Sequence, residues 1–240
     1  SQGTIEVVLV ERNADFVSCP MSNLVLGGSR SMTDITRGYT KLRDYGVQVI
    51  RDEVTGVDAG KKRVKLRRIE DLPYDRLVVS PGIDFMQESI EGYDAEAQKT
   101  ILHSWKAGPE TVALRKQLED MKDGGVYVLS IPLAPYRCPP GPYERACMVA
   151  SYFKRAKPKS KVLILDANPD VTSKGALFKA AWKDLYPGMV EYRGNAAVKK
   201  VNAKAGTVAT DFDTIRGDVL NVVPPQRAGD IAKGAGLITA

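Results

Sequence analysis

A chain of 240 residues has room for one large or two modest domains, each able to bury its own core. No apolar run approaches the roughly 18 residues of a membrane-crossing helix, no secretory leader is legible, and Ser1-Gln2-Gly3 reads as a tag remnant. The net charge of +6, from 35 basic and 29 acidic side chains, is dispersed instead of gathered into a stripe with interleaved aromatics. That argues against nucleic acid and leaves a mildly basic surface able to steer an acidic protein. Three cysteines in no C-x-x-C arrangement, with a single histidine, make no zinc-type ligand set, and the odd number leaves at least one thiol unpaired within the chain.

The first stretch, Thr4–Glu11, saturates in apolar residues and finishes on an acid. A buried parallel strand closing on Glu11 matches the second strand of a Rossmann-type domain, the one after the first βα unit, where the acid bonds a ribose hydroxyl. The glycine-rich turn that belongs before it is not upstream. A polar loop, Asn13–Asn23, carries Cys19, which by itself reads as an ordinary loop thiol. A helix is predicted over Thr33–Tyr45, with Ile35, Tyr39 and Leu42 on one face and Gly46 as its stop. Val47–Ile50 reads as a short strand and Gly56–Leu66 as a hairpin turning at Ala59-Gly60. Tyr74–Ser80 reads as a further strand, ending in the tight turn Ser80-Pro81-Gly82, at the carboxyl end where ligands lie in open α/β sheets. Glu88–Gly108 has little periodicity and marks the expected domain boundary. His103, alone beside Trp105 at that junction, reads as structural before catalytic.

A helix from Pro109 to Met121 then stops at Gly124-Gly125 and leads to an apolar strand, Val126–Ile131. Tyr136-Arg137-Cys138-Pro139-Pro140-Gly141-Pro142-Tyr143-Glu144-Arg145 comes next, then a helical stripe of Ala146, Val149, Ala150 and Phe153, then a second strand, Val162–Asp166. Strand, turn, helix and strand make a βαβ nucleotide-binding pattern, but its turn lacks the G-x-G-x-x-G that lets backbone press on a diphosphate. Prolines and a thiol stand there instead. Cys138 has a bland reading, a small buried residue in a rigid loop, and a chemical one. Its place just ahead of a helix start favours a thiolate, Glu144 in the first helical turn is a possible proton acceptor, and Arg137 and Arg145 flank it with positive charge. The chemical reading is the stronger. Cys147, at the edge of the stripe, reads as core. A helix near Lys174–Tyr186 and strands near Val190–Tyr192, Val198–Val201, Thr207–Thr210 and Asp218–Val223 complete a second half that loosely repeats the first. A short helical tail, Ala228–Leu237, comes last. The fold class is therefore α/β, with two Rossmann-like three-layer domains in tandem, the first lacking its N-terminal βα unit.

Cys19 followed by Ser22-Asn23, the run His103-Ser104-Trp105-Lys106-Ala107-Gly108, Leu114–Met121 and Cys138–Ala146 together carry a family likeness. The chain resembles the flavoprotein subunit of flavocytochrome c sulfide dehydrogenase, a relative of the disulfide reductases. The resemblance implies a partial FAD-binding domain over 1–107, a second Rossmann-like domain without a dinucleotide fingerprint over 108–225, and at 226–240 the start of a segment returning to the FAD domain. The interface domain is absent and both ends look truncated, so the chain is expected to be an inactive piece that holds FAD weakly or not at all. By the same resemblance Cys19 is the covalent attachment point of the flavin, with Pro20 beside it. Glu11, Val54, Ser80, Pro81 and Gly82 are FAD-binding positions, Cys138 is half of a redox disulfide, and Glu144 is its base. Hydrosulfide attacks that disulfide, and electrons pass through FAD to a c-type cytochrome in the periplasm. The rivals are a sulfide:quinone oxidoreductase and a non-catalytic, flavin-free fragment that docks a cytochrome. A nicotinamide-dependent disulfide reductase is disfavoured because the second domain has no glycine fingerprint.

Overall fold

The structure, a computed structural model, describes residues 5–238, so Ser1–Gly3, with the tag reading, and Thr4, Thr239 and Ala240 lie outside it. In chain order the first elements are β1 (Val7–Val10), β2 (Asp15–Val17), α1 (Ser22–Leu26), α2 (Met32–Ile35), β3 (Thr36–Gly38), β4 (Val47–Ile50), β5 (Val54–Asp58), β6 (Arg63–Leu66), β7 (Leu72–Pro73) and β8 (Ile83–Phe85). They are followed by α3 (Pro109–Asp120), β9 (Val126–Ile131), α4 (Gly141–Ala156), β10 (Lys161–Asp166), α5 (Gly175–Leu185) and β11 (Val190–Arg193). The last are β12 (Lys200–Asn202), β13 (Thr207–Ala209), β14 (Thr214–Arg216), β15 (Val219–Val222), β16 (Gln226–Ala228) and α6 (Asp230–Gly234). No helix among the described residues is long and apolar enough to cross a membrane.

Two compact units share these elements, one built from 5–17, 36–84 and 227–238, the other from 18–35 and 85–226. The units thus divide the chain at 84/85 and lend 18–35 to the second unit, whereas the sequence pattern draws its boundary at residue 107. In the first unit β1 and β4 form a parallel pair, Val7 opposite Val47 through Val10 opposite Ile50. β2 and β3 form an antiparallel pair across the α1–α2 segment, and β5, β6 and β7 form an antiparallel sheet whose β5–β6 turn lies where Ala59-Gly60 predicted it. Two expectations are corrected here. Thr33–Tyr45 is not one helix but α2, β3 and a 3-10 turn, Thr40–Tyr45. Its β-branched Thr33, Ile35 and Thr36, with Gly38, weaken a helix, and a strand partner in β2 takes the backbone bonds. Residues 74–80 form no strand, and Val78 is 86% exposed. An apolar run without a pairing partner has nothing to hold it extended. β1 also departs from a buried strand, with Val7 and Val8 exposed.

The second unit is a four-stranded parallel sheet in the order β11-β10-β9-β15, the arrangement of a Rossmann-type half-sheet. Because side chains alternate along a strand, Val128 of β9 and Leu163 and Leu165 of β10 face one layer, with Ile90, Tyr93, Ala97 and Ile101 from the aperiodic stretch. Tyr127 and Leu129, with zero exposure, belong to the opposite face. There the stripe Ala146, Val149, Ala150 and Phe153 of α4 is buried, each large apolar side chain contributing roughly 1.5–3 kcal/mol. α4 begins where the turn prolines place it, since Pro142 at the second helical position has no hydrogen bond to lose, and it ends with Lys154 and Arg155 on the negative end of its dipole. The β9–α4 junction fixes the position of Cys138.

Candidate active site

Cys138 lies between β9 and α4 with φ of +61°, a left-handed conformation that costs a non-glycine residue roughly 1–2 kcal/mol. Its neighbours hold it there. The Tyr136 hydroxyl bonds Thr172 Oγ1 at 2.8 Å, the Arg137 N–H donates to Gln226 Oε1 at 2.9 Å, and the Arg137 guanidinium donates to the carbonyl of Trp105. The Gly141 N–H closes the turn on the Cys138 carbonyl at 2.9 Å. Cys138 is half-buried. A Cβ built on Gly141 would lie 3.0 Å from Cys138 Sγ and 3.0 Å from Trp105 Cη2, so sulfur and indole meet over the bare first residue of α4.

One turn on, Glu144 accepts a hydrogen bond from Asn23 Nδ2 at 2.8 Å. Asn23, buried on α1, turns its other end to Arg145, whose Nε donates to Asn23 Oδ1 at 3.0 Å. A guanidinium only donates, so the amide must present its nitrogen to Glu144 and hold that carboxyl as an acceptor. Arg145 is 1% exposed, and its remaining bonds run to the carbonyls of His103 and Ser104 and to Asn221 Oδ1. All of these acceptors are neutral. Burial pulls the guanidinium below its usual value, while Tyr127, Glu110 and the thiols of Cys19 and Cys138 act in the opposite direction. The sequence marks Arg145 as a charge flanking the site; the structure buries it, with its guanidinium 4.7 Å from the Trp105 ring.

Cys19 belongs to the same unit, half-buried just ahead of α1, and its Sγ accepts the Ala107 N–H at 3.4 Å; Pro20 next to it is exposed. His103 packs against Phe85 with ring centroids 4.1 Å apart and the planes tilted by 37°; its Nδ1 accepts from the Trp105 N–H at 3.0 Å and lies 3.1 Å from Glu110 Oε2. Burial first, then the charges of Arg145, Lys106 and Arg137, lower its pKa to about 4. The ring is therefore neutral at pH 7, and its contact with Glu110 is not an ion pair. Cys147 is buried, as its place on the stripe predicts, and burial raises its pKa.

Asp166 ends β10, where a Rossmann domain offers an acid to a ribose. Here it has no exposure, and its two oxygens accept from Tyr143, Tyr192 and twice from Asn168, at 2.7, 3.1, 2.9 and 2.7 Å. With Tyr143, Tyr136 and Thr172 bonded to one another beside it, the dinucleotide position is filled by side chains.

Glu11, Val54 and Ser80-Pro81-Gly82 lie in the other unit. Glu11 is half-buried, its Oε1 accepts from Asn13 at 2.7 Å, and Oε2 has no bond among the described residues. Val54 opens β5 next to a cleft of about 360 Å³ lined by Arg12, Arg51, Asp52, Glu53, Arg67 and Arg68. Ser80, Pro81 and Gly82 are exposed, and the Gly82 carbonyl accepts the Gly229 N–H at 3.1 Å. A carboxylate oxygen without a bond among the described residues and an arginine-lined cleft at the carboxyl ends of two parallel strands fit the nucleoside end of a dinucleotide such as FAD.

Sequence reasoning misses Asn23, Trp105, Asn221 and Gln226 as site residues. Asn221 leaves one signal, a lone amide inside the apolar run of β15; the others have none, because their partners are distant in sequence.

Residues 111–224 match the family model described as the central part of the sulfide dehydrogenase (flavocytochrome c) flavoprotein chain. A mitochondrial sulfide:quinone oxidoreductase of Dictyostelium discoideum is 24% identical over 97% of this chain and 53% of its own length. The sulfide:quinone oxidoreductase of Aquifex aeolicus superposes with a TM-score of 0.76 at 18% identity, over 96% of this chain and 55% of that one. A ferredoxin reductase of Rhodopseudomonas palustris superposes with a TM-score of 0.72 at 15% identity, over 99% and 57%. The chain thus spans about half the length of the relatives it matches. Its mixed α/β fold is the one those oxidoreductases share, and residues 111–224 are similar to the central segment of the flavocytochrome c sulfide dehydrogenase flavoprotein chain, a likeness to disulfide-reductase-like flavoproteins.

Proposed function

We propose that this chain is the sulfur-handling part of a flavoprotein that oxidises sulfide. The observation that carries the reading is the half-buried Cys138, pinned in a left-handed conformation at the start of α4, with Glu144 held one turn away as a hydrogen-bond acceptor. Hydrosulfide attacks a disulfide that includes Cys138, leaving one sulfur as a persulfide and releasing the other as a thiolate. Glu144 takes up the proton of the attacking sulfur, a role worth roughly 10²–10⁴-fold in rate. Arg145 supplies a fixed positive charge on the buried side. FAD, when bound, would supply the acceptor for two electrons; Glu11, Val54 and Ser80-Pro81-Gly82 would hold it, and Cys19, with Pro20 beside it, would be its point of attachment.

Two acceptors downstream have separate support. The family match over 111–224 favours a c-type cytochrome, and with it a periplasmic location; the sulfide:quinone oxidoreductase that matches 97% of the chain favours a quinone. Re-oxidation of the sulfide-reduced, FAD-reconstituted chain by cytochrome c or by a soluble quinone separates the two.

The sulfur step can be tested without flavin. An aryl disulfide reagent converts Cys138 to a mixed disulfide, and hydrosulfide then displaces the aryl thiolate. The Cys138 peptide is expected to gain one sulfur atom by mass spectrometry, and Glu144→Gln to slow that gain by at least an order of magnitude. Equal sulfur gain at Cys19, or no gain at Cys138, would sink the reading.

A further inference from the structure

Two buried hydrogen-bond donors on residues that pack against the Cys138 turn have no acceptor among the described residues. Trp105 is 6% exposed and its Nε1–H is buried without a partner, and the Nε2 of Gln226 is also buried and unpaired. A buried donor that nothing meets is destabilising. Neither can be turned to hide the loss. The Gln226 amide is oriented by the Arg137 N–H, which needs the oxygen, so the nitrogen faces away from that bond. The indole is clamped by its own carbonyl on Arg137, by Arg145 against its face, and by Gly141 against the Cζ2–Cη2 edge next to Nε1. That edge is the one that shares Gly141 with Cys138 Sγ. Beneath the indole, Arg145 has four hydrogen bonds, all to neutral oxygens, and no ion pair among the described residues. The wall beside the thiol therefore combines unused N–H donors with an uncompensated positive charge. A small anion that accepts hydrogen bonds is what this wall lacks.

We infer that Trp105 Nε1–H and Gln226 Nε2–H bind the hydrosulfide anion beside Cys138, in the field of Arg145, before any sulfur–sulfur bond forms. The inference rests on the sulfide-oxidising reading and deepens it, by naming the groups that select a monoanionic sulfur nucleophile over neutral hydrogen sulfide. Trp105 and Gln226 act by binding; no electron or proton leaves them. A flavin carbonyl is the other acceptor that could meet the same donors, and the test separates the two.

The experiment tracks the indole N–H resonances of the isotope-labelled, fully reduced chain under anaerobic, mildly alkaline conditions, with Trp105→Phe identifying the Trp105 signal. Sodium hydrosulfide is expected to move the Trp105 signal saturably while the Trp182 signal stays in place, and sodium chloride at the same ionic strength to move neither. Gln226→Leu is expected to weaken the apparent affinity about tenfold, the loss of one hydrogen bond to an anion. A signal that ignores hydrosulfide, or responds equally to chloride, overturns the inference. So does one that moves with flavin mononucleotide and not with hydrosulfide, which would give the donors to the cofactor. If Cys138 still gains sulfur from the mixed disulfide while Trp105 does not respond, the anion site falls and the sulfide reading stands; if Cys138 gains none, the reading itself fails.

Discussion

Gly141 is a position where two residue-scale effects oppose each other. Its φ is not positive, so alanine there would ordinarily help a helix by up to about 1 kcal/mol. A methyl at that point, however, sits 3.0 Å from both Cys138 Sγ and the Trp105 ring, and overpacking of this kind costs roughly 1–3 kcal/mol. Gly141→Ala is therefore expected to lower stability by about 1–2 kcal/mol in urea denaturation and to raise the rate at which Cys138 is alkylated, because the sulfur must move outward. His103 gives a pH prediction at the same scale. Its pKa is about 4 folded, against about 6.5 unfolded, so between those values the unfolded chain binds more protons and stability falls as pH falls. The loss reaches at most about 3 kcal/mol by pH 4. His103→Gln should flatten the stability profile over that window while leaving the region above pH 7 unchanged.

The elements α1, α4 and β15 are joined through polar atoms as much as through apolar packing. Asn221 of β15 accepts from Tyr127 at 2.7 Å and from Arg145 at 2.9 Å, and donates to the carbonyls of Leu102 and His103 at 2.6 and 2.8 Å. Replacing it by leucine keeps the volume and strands all four groups. Asn221→Leu is expected to cost at least about 3 kcal/mol in chemical denaturation, and Tyr127→Phe only about 1 kcal/mol, since the phenylalanine removes its own donor with the bond. A cost for Asn221→Leu no larger than that for Tyr127→Phe would show that the hub does not hold the elements together.

For the whole molecule, the side-chain-filled position at Asp166 argues against a nicotinamide reductant. A nicotinamide cofactor would have to displace four hydrogen bonds to a buried carboxylate and the Tyr143 ring of α4. The FAD-reconstituted chain is expected to lose its visible flavin absorbance with sulfide and to keep it with NADH; bleaching by NADH at a comparable rate would contradict the geometry around Asp166. Cys138→Ser should abolish the response to sulfide without changing flavin content, and Cys19→Ser should release the flavin on acid precipitation.

Local chemistry alone determined much of the second unit. The apolar runs Val126–Ile131 and Val162–Asp166, Pro109 and Pro142 at helix starts and the period of α4 place a parallel sheet with Cys138 at its turn, because each signal concerns residues a few positions apart. The same reasoning fails over Thr33–Tyr45 and Tyr74–Ser80, where the presence or absence of a strand partner overrides propensity. It is silent on Asn23, which meets Arg145 across 122 positions of chain, and on Gln226, which meets Arg137 across 89. Composition and spacing carry no record of such distances. Only the packed tertiary structure turns Arg145 inward, orients two amides by the donors they must meet, and leaves the buried N–H groups of Trp105 and Gln226 without an acceptor among the described residues.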